Sequence, residues 1–168
     1  MLAPNGARRT KADHPALPIT IAETVAAAKA GFDAGAEALH AHVRDRDGRH
    51  CLDSGLYREL IDEMKTAVPD MPVQITTEAA GIYGPDDQRR VVREVMPEGV
   101  SVVLREMWPG HGPDPAAQAF YHWAAEAGIA VQHILFTEHD ATRFAALVAG
   151  GSNPSPVHCL LVLGTLRP

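Results

Sequence analysis

Cysteine is scarce: Cys51 and Cys159 are the only two in 168 residues, too few for a disulfide framework. No apolar run approaches the ~18–20 residues of a membrane span, and the N-terminus lacks the apolar stretch of a signal peptide. Positive charge is outnumbered, with 15 Lys+Arg against 21 Asp+Glu for a net charge of −6 and no basic run. That balance argues against nucleic acid or an anionic membrane as partner. No GxGxxG follows the first apolar run and no GxxxxGK[ST] occurs anywhere, so the usual phosphate-binding loops are missing. Neither a low-complexity linker nor an internal repeat interrupts the chain. A soluble cytoplasmic protein with one domain over residues 1–168 is the expectation.

Apolar residues make up 46% and charged residues 21%, ordinary for a chain that buries a core. Strand-length apolar runs alternate with helical patterns. Strands are expected at residues 1–5 (weak), 37–43, 73–77, 100–104, 129–136 and 157–163. Helices are expected at 21–34, 53–67, 85–96, 115–127 and 139–149. Thr20 with Glu23 three residues on reads as a capping box, and Asp53 as an N-cap. Six strands in strict alternation with five helices mean a parallel sheet covered by helices. A complete eightfold barrel usually takes ~200–250 residues, so length alone favours an open doubly wound sheet.

The unusual entry in the composition is nine histidines. His40 and His42 lie two apart near the end of the second expected strand, so both imidazoles share a face. Two neutral ring nitrogens at that spacing suit Zn²⁺, and the C-terminal end of a parallel strand is where α/β enzymes place their chemistry. The same spacing also fits two buried histidines satisfied by neighbours. In the run His40-Ala-His42-Val-Arg44-Asp45, Asp45 can orient a ligand imidazole and Arg44 can hold an acidic substrate. The two can equally form a loop ion pair with each other.

These residues carry a resemblance. Asn5-Gly-Ala-Arg8, Lys11 to Thr20, Ala34-Gly-Ala-Glu-Ala-Leu-His40-Ala-His42-Val-Arg44-Asp45-Arg-Asp-Gly48-Arg49 and Val73-Gln-Ile-Thr76-Thr77 resemble the signatures of the β-keto acid cleavage enzymes. The likeness runs from about residue 4 to residue 164. It implies a (β/α)₈ barrel of the TIM type, here shortened to about six β/α units, and usually a homo-oligomer. It also implies a zinc ion held by His40, His42 and a later glutamate. The implied reaction joins a β-keto acid with acetyl-CoA to give acetoacetate and a new acyl-CoA, so the partners are a small-molecule β-keto acid and a CoA thioester. A Lewis-acid metal suits cleavage beside a ketone. Thr76 and Ser101 match hydroxyl positions that the family uses for substrate, although each also fits a satisfied polar group within a strand.

Several positions depart from the family pattern. Arg8 stands where the family has an acid, Glu78-Ala79-Ala80-Gly81 replaces Gly-Gly, and Val103 replaces an asparagine. The expected seventh strand, with its arginine and Glu-Asp pair, has no counterpart before Pro168. A local carboxylate is the expected replacement: Glu78 shares parity with Thr76 and serves as candidate metal contact or general base, whereas Glu106 needs a bulge or loop to turn inward. The competing readings are an amidohydrolase-like metal-dependent hydrolase and a non-catalytic barrel fragment with a residual metal site. The apolar final strand, Leu160 to Leu163, is expected to recruit other chains.

Overall fold

Thr20 opens the first helix as the sequence predicts. Its side chain accepts from the Glu23 N–H at 3.2 Å, and the Glu23 carboxylate returns to the Thr20 N–H at 3.1 Å. The computed structural model describes residues 1–154 and 156–164. Residues 155 and 165–168 lie outside the described residues. After α1 (Ile21–Asp33) the chain runs through β1 (Leu39–Ala41), α2 (Ser54–Ala67), β2 (Val73–Thr76), α3 (Pro85–Val95) and β3 (Gly99–Val103). It continues through α4 (Leu104–Met107), α5 (Pro115–Glu126), β4 (Ala130–Leu135), α6 (Glu138–Ala149) and β5 (His158–Leu161). Asp53 caps α2 as expected, accepting from the Leu56 N–H at 2.8 Å.

All five strands are parallel and lie in chain order, β1-β2-β3-β4-β5. A doubly wound sheet begins in its middle and reverses, whereas a barrel adds each strand beside the last. The sequential order therefore decides for the barrel-type arc over the open sheet that length favoured. Two expected elements change. The N-terminal strand shrinks to a single parallel bridge, Leu2 to Leu39, and the run after β3 turns at once into the one-turn helix α4.

The two faces of the arc differ in chemistry. Leu39, Ala41, Ile75, Val100 and Val102 are buried in one cluster with Tyr57, Leu60, Met64, Val92 and Phe120 from the helices. Burial of such side chains contributes ~1.5–3 kcal/mol each and holds the strands in register. The opposite face is polar: the register sets His40 beside Gln74, and Thr76 beside Ser101, which pairs with Gln132. No helix among the described residues is long and apolar enough to cross a membrane. At the far edge every residue of β5 is exposed, Leu161 at 60%.

Candidate functional site

Alternation along β1 sends His40 and His42 to the polar face, at the C-terminal end of the strand. Their Nε2 atoms stand 3.3 Å apart, with the rings edge to face. Two nitrogens each about 2.0–2.1 Å from one tetrahedral ion are separated by roughly that distance, so the pair fits a shared cation. Burial disfavours the protonated form of both rings. The His42 pKa is pulled down to about 2, by desolvation first and by the charges of His40, His50 and Arg44 next. That of His40 is lowered by desolvation, against the opposing bond from Gln74.

The partners of the rings are fixed by neighbouring strands. His40 Nδ1–H donates to Gln74 Oε1 at 2.8 Å, which leaves the lone pair on Nε2. Asn5 clamps the His42 main chain at both polar atoms, accepting from its N–H at 3.1 Å and donating to its carbonyl at 3.0 Å. His42 Nδ1 is buried and has no hydrogen-bond partner. The nearest carboxylate oxygen is Glu78 Oε2, 4.0 Å from it. The other Glu78 oxygen lies 3.9 Å from Arg8, and desolvation raises the Glu78 pKa.

The expected residues separate into groups. His40, His42 and Glu78 come together, as their parity requires. Thr76 and Ser101 also meet, Ser101 Oγ donating to Thr76 Oγ1 at 3.4 Å while Thr76 Oγ1 accepts from the Glu78 N–H at 3.1 Å. Arg44 turns away from the pair. Its guanidinium donates to the carbonyls of Ala7 at 2.9 Å, Gly48 at 3.2 Å and Arg9 at 3.1 Å, and also to Gly6. Asp45 is not brought to the imidazoles. Its Oδ1 accepts from the N–H groups of Asp47 at 2.9 Å and Arg49 at 2.8 Å, closing the turn at Gly48, and Gln74 orients His40 in its place.

Two residues of the cluster, Gln74 and His50, were not singled out for it in the sequence, and a third, Glu106, was ranked behind Glu78 for want of a bulge or loop to turn it inward. Gln74 was detectable, since it shares parity with Thr76 and lies in register with His40. His50 reaches the site through the turn that follows β1. It donates through Nε2 to the Glu78 carbonyl at 2.7 Å, and its ring stands 5.3 Å from that of His42. Glu106 turns inward because α4 breaks the strand's alternation, and its Oε2 accepts from the Ala79 N–H at 2.9 Å and Gln88 Nε2 at 3.1 Å. Among the described residues no three His, Cys, Asp or Glu side chains converge on one point as a complete metal site.

Fold and site together define a β/α-barrel-type chain with a histidine pair at the C-terminal end of a strand, the end where such barrels carry their active sites. Comparison with known proteins names the group. A family model for β-keto acid cleavage enzyme matches residues 1–167, and the chain belongs to that family. It is 37% identical over 86 residues to 3-keto-5-aminohexanoate cleavage enzyme of Acetoanaerobium sticklandii, covering 51% of this chain and 31% of the relative. It is 29% identical over 101 residues to 3-oxoadipate:acetyl-CoA acetyltransferase of Cupriavidus necator, covering 60% and 35%. The matched segments thus span about a third of the length of these curated relatives. Among solved structures, ObcA in ternary complex with a C4-CoA adduct and oxalate superposes with a TM-score of 0.70 at 20% identity. That match covers 88% of this chain and 37% of ObcA, and supports the fold.

Proposed function

We propose that His40 and His42 hold a divalent cation, zinc, and that the site serves cleavage of a β-keto acid with acetyl-CoA as co-substrate, yielding acetoacetate and a new acyl-CoA. The observation that carries this reading is the 3.3 Å approach of the Nε2 atoms of a buried His42 and a half-buried His40 in a member of this family. Bound there, the ion would supply a Lewis acid for the charge that develops on a ketone oxygen. Gln74 keeps the His40 lone pair on Nε2, and Asn5 holds the His42 main chain in place. Thr76 and Ser101 present hydroxyls on the same face for a substrate carboxylate or ketone. Glu78 supplies the carboxylate nearest the pair. We further read the chain as cytoplasmic and as a homo-oligomer, its exposed β5 edge being the surface that favours association.

The test is zinc content after dialysis for the wild type, His40→Ala and His42→Ala, with an acetoacetate-forming assay on the same samples. Near-stoichiometric zinc in the wild type and loss of most of it in both variants is expected. Equal zinc in all three overturns the metal assignment. Bound zinc with no acetoacetate from any β-keto acid tried overturns the activity assigned to this chain.

A further inference from the structure

Glu78 invites a reading as the missing metal ligand, but its position argues for another task. The two Nε2 atoms face each other, so a shared ion lies on their side of the His42 ring. Glu78 Oε2 approaches the other side, 4.0 Å from Nδ1, the buried nitrogen with no hydrogen-bond partner. An imidazole that gives Nε2 to a metal carries its proton on Nδ1 and needs an acceptor there. Glu78 is the nearest carboxylate, and at 4.0 Å its oxygen has about 1 Å to close before it accepts a hydrogen bond.

The backbone around Glu78 is held far more tightly than a surface loop requires. The Glu78 N–H is taken by Thr76 Oγ1, the Glu78 carbonyl by His50 Nε2–H, and the Ala79 N–H by Glu106 Oε2. Gln88, wholly buried on α3, bonds both the Thr77 carbonyl at 2.6 Å and Glu106 at 3.1 Å. Beyond these bonds Ala80 adopts φ +50°, a left-handed conformation that costs a non-glycine residue roughly 1 kcal/mol or more. Side chains from three other elements thus fix the main chain of one turn, and that turn aims one carboxylate at His42.

We propose that Glu78 is a positioning residue that accepts the His42 Nδ1 proton when Nε2 binds metal, and that Glu106 and His50 act through Glu78 by holding its main chain. The proposal deepens the metal reading and rests on it. Because Glu78 sits on the Nδ1 side, it leaves the third ligand position to another group.

The test uses the full chain and zinc alone. Zinc affinity is measured for the wild type, Glu78→Ala, Glu106→Ala, Glu106→Gln and the double variant Glu78→Ala/Glu106→Ala, together with ¹⁵N NMR of the histidine rings. Glu78→Ala is expected to weaken zinc about 10–100-fold, the usual effect of losing a partner of a ligand. Glu106→Ala should weaken it several-fold in the wild type and leave Glu78→Ala unchanged, while Glu106→Gln, which keeps the acceptor for the Ala79 N–H, should restore wild-type affinity. In the zinc-loaded wild type His42 should carry its proton on Nδ1. Equal Glu106→Ala losses in both backgrounds, no rescue by Gln, or a His42 bound through Nδ1 would each overturn the proposal. Should Glu106→Ala fail to fold, His50→Phe, which removes the bond to the Glu78 carbonyl and keeps a ring, takes its place in the cycle. If zinc binds independently of His40 and His42 the metal reading falls, and this proposal falls with it. If zinc depends on the pair but not on Glu78, only this proposal falls.

Discussion

Replacing Arg44 by alanine should unfold part of the molecule before it touches any chemistry. The guanidinium is buried and donates to four carbonyls, three of them in residues 6–9 and one at Gly48. Hydrogen bonds from a charged donor contribute about 1.5–3 kcal/mol each, but water reaches half-buried carbonyls once the side chain is gone. A net loss of ~3 kcal/mol follows, which for a chain of this length lowers Tm by roughly 6–12 °C. Lysine keeps the charge but not the planar fork, so Arg44→Lys should recover less than half of the loss. Thermal and denaturant unfolding give the magnitude, and amide exchange over residues 6–9 locates it. A destabilisation below about 1 kcal/mol, with normal protection of residues 6–9, would refute the anchoring role and return Arg44 to the substrate-binding role considered from the sequence.

Three further outcomes are expected. Gln74→Leu removes the acceptor that fixes His40 and should weaken zinc about 10–100-fold by equilibrium titration, so unchanged affinity would show that the Gln74 bond is incidental. His133 of β4, buried against Tyr121 and Phe144, has its pKa pulled down to about 4 by desolvation, with His158 adding to the shift. Between pH 4 and about 6.5 the unfolded chain therefore binds the extra proton, and stability contributed by the neutral ring is lost as pH falls through that window, by ~3 kcal/mol. The stability difference between wild type and His133→Phe should shrink by that amount from pH 7 to pH 4, and parallel pH profiles would contradict it. Leu161→Lys charges the exposed β5 edge and should lower the self-associated fraction by light scattering, an unchanged distribution speaking against association through that edge.

Periodicity made most of the architecture legible. The apolar spacing at 56, 60, 61 and 64 falls on Leu56, Leu60, Ile61 and Met64 of α2, of which Leu60 and Met64 are fully buried. Parity along β1 and β2 likewise placed His40, His42, Thr76 and Glu78 on one face. What parity cannot carry is a break in period. One turn of helix directly after Val103 replaces a repeat of two with one of 3.6, and so Glu106 enters the cluster. His50 and Asp45 depended on a turn whose hydrogen bonds decide which side chain faces inward, and adjacent residues in sequence gave no hint that Asp45 would be consumed by Asp47 and Arg49. Alternation and length could not choose between arc and open sheet, which differ only in which edge each new strand joins; the resemblance carried by the His40-Ala-His42 motif made that choice, and the strand order agrees with it.

The sequential strand order also sets a timetable for synthesis. Every side chain of the histidine–carboxylate cluster, from Asn5 to Glu106, comes from the N-terminal segment, β1, β2, β3, the helices α3 and α4 or the turns after the strands, and none comes from β4 or β5. Because each strand docks on the one made just before it, the nascent chain never waits for a distant partner to complete this part of the sheet. At about 5–20 residues per second a unit of roughly 30 residues leaves the ribosome every few seconds. The imidazole pair can therefore find Gln74 and Glu78 while β4 is still being translated, and the later units are laid onto a site whose geometry is already in place.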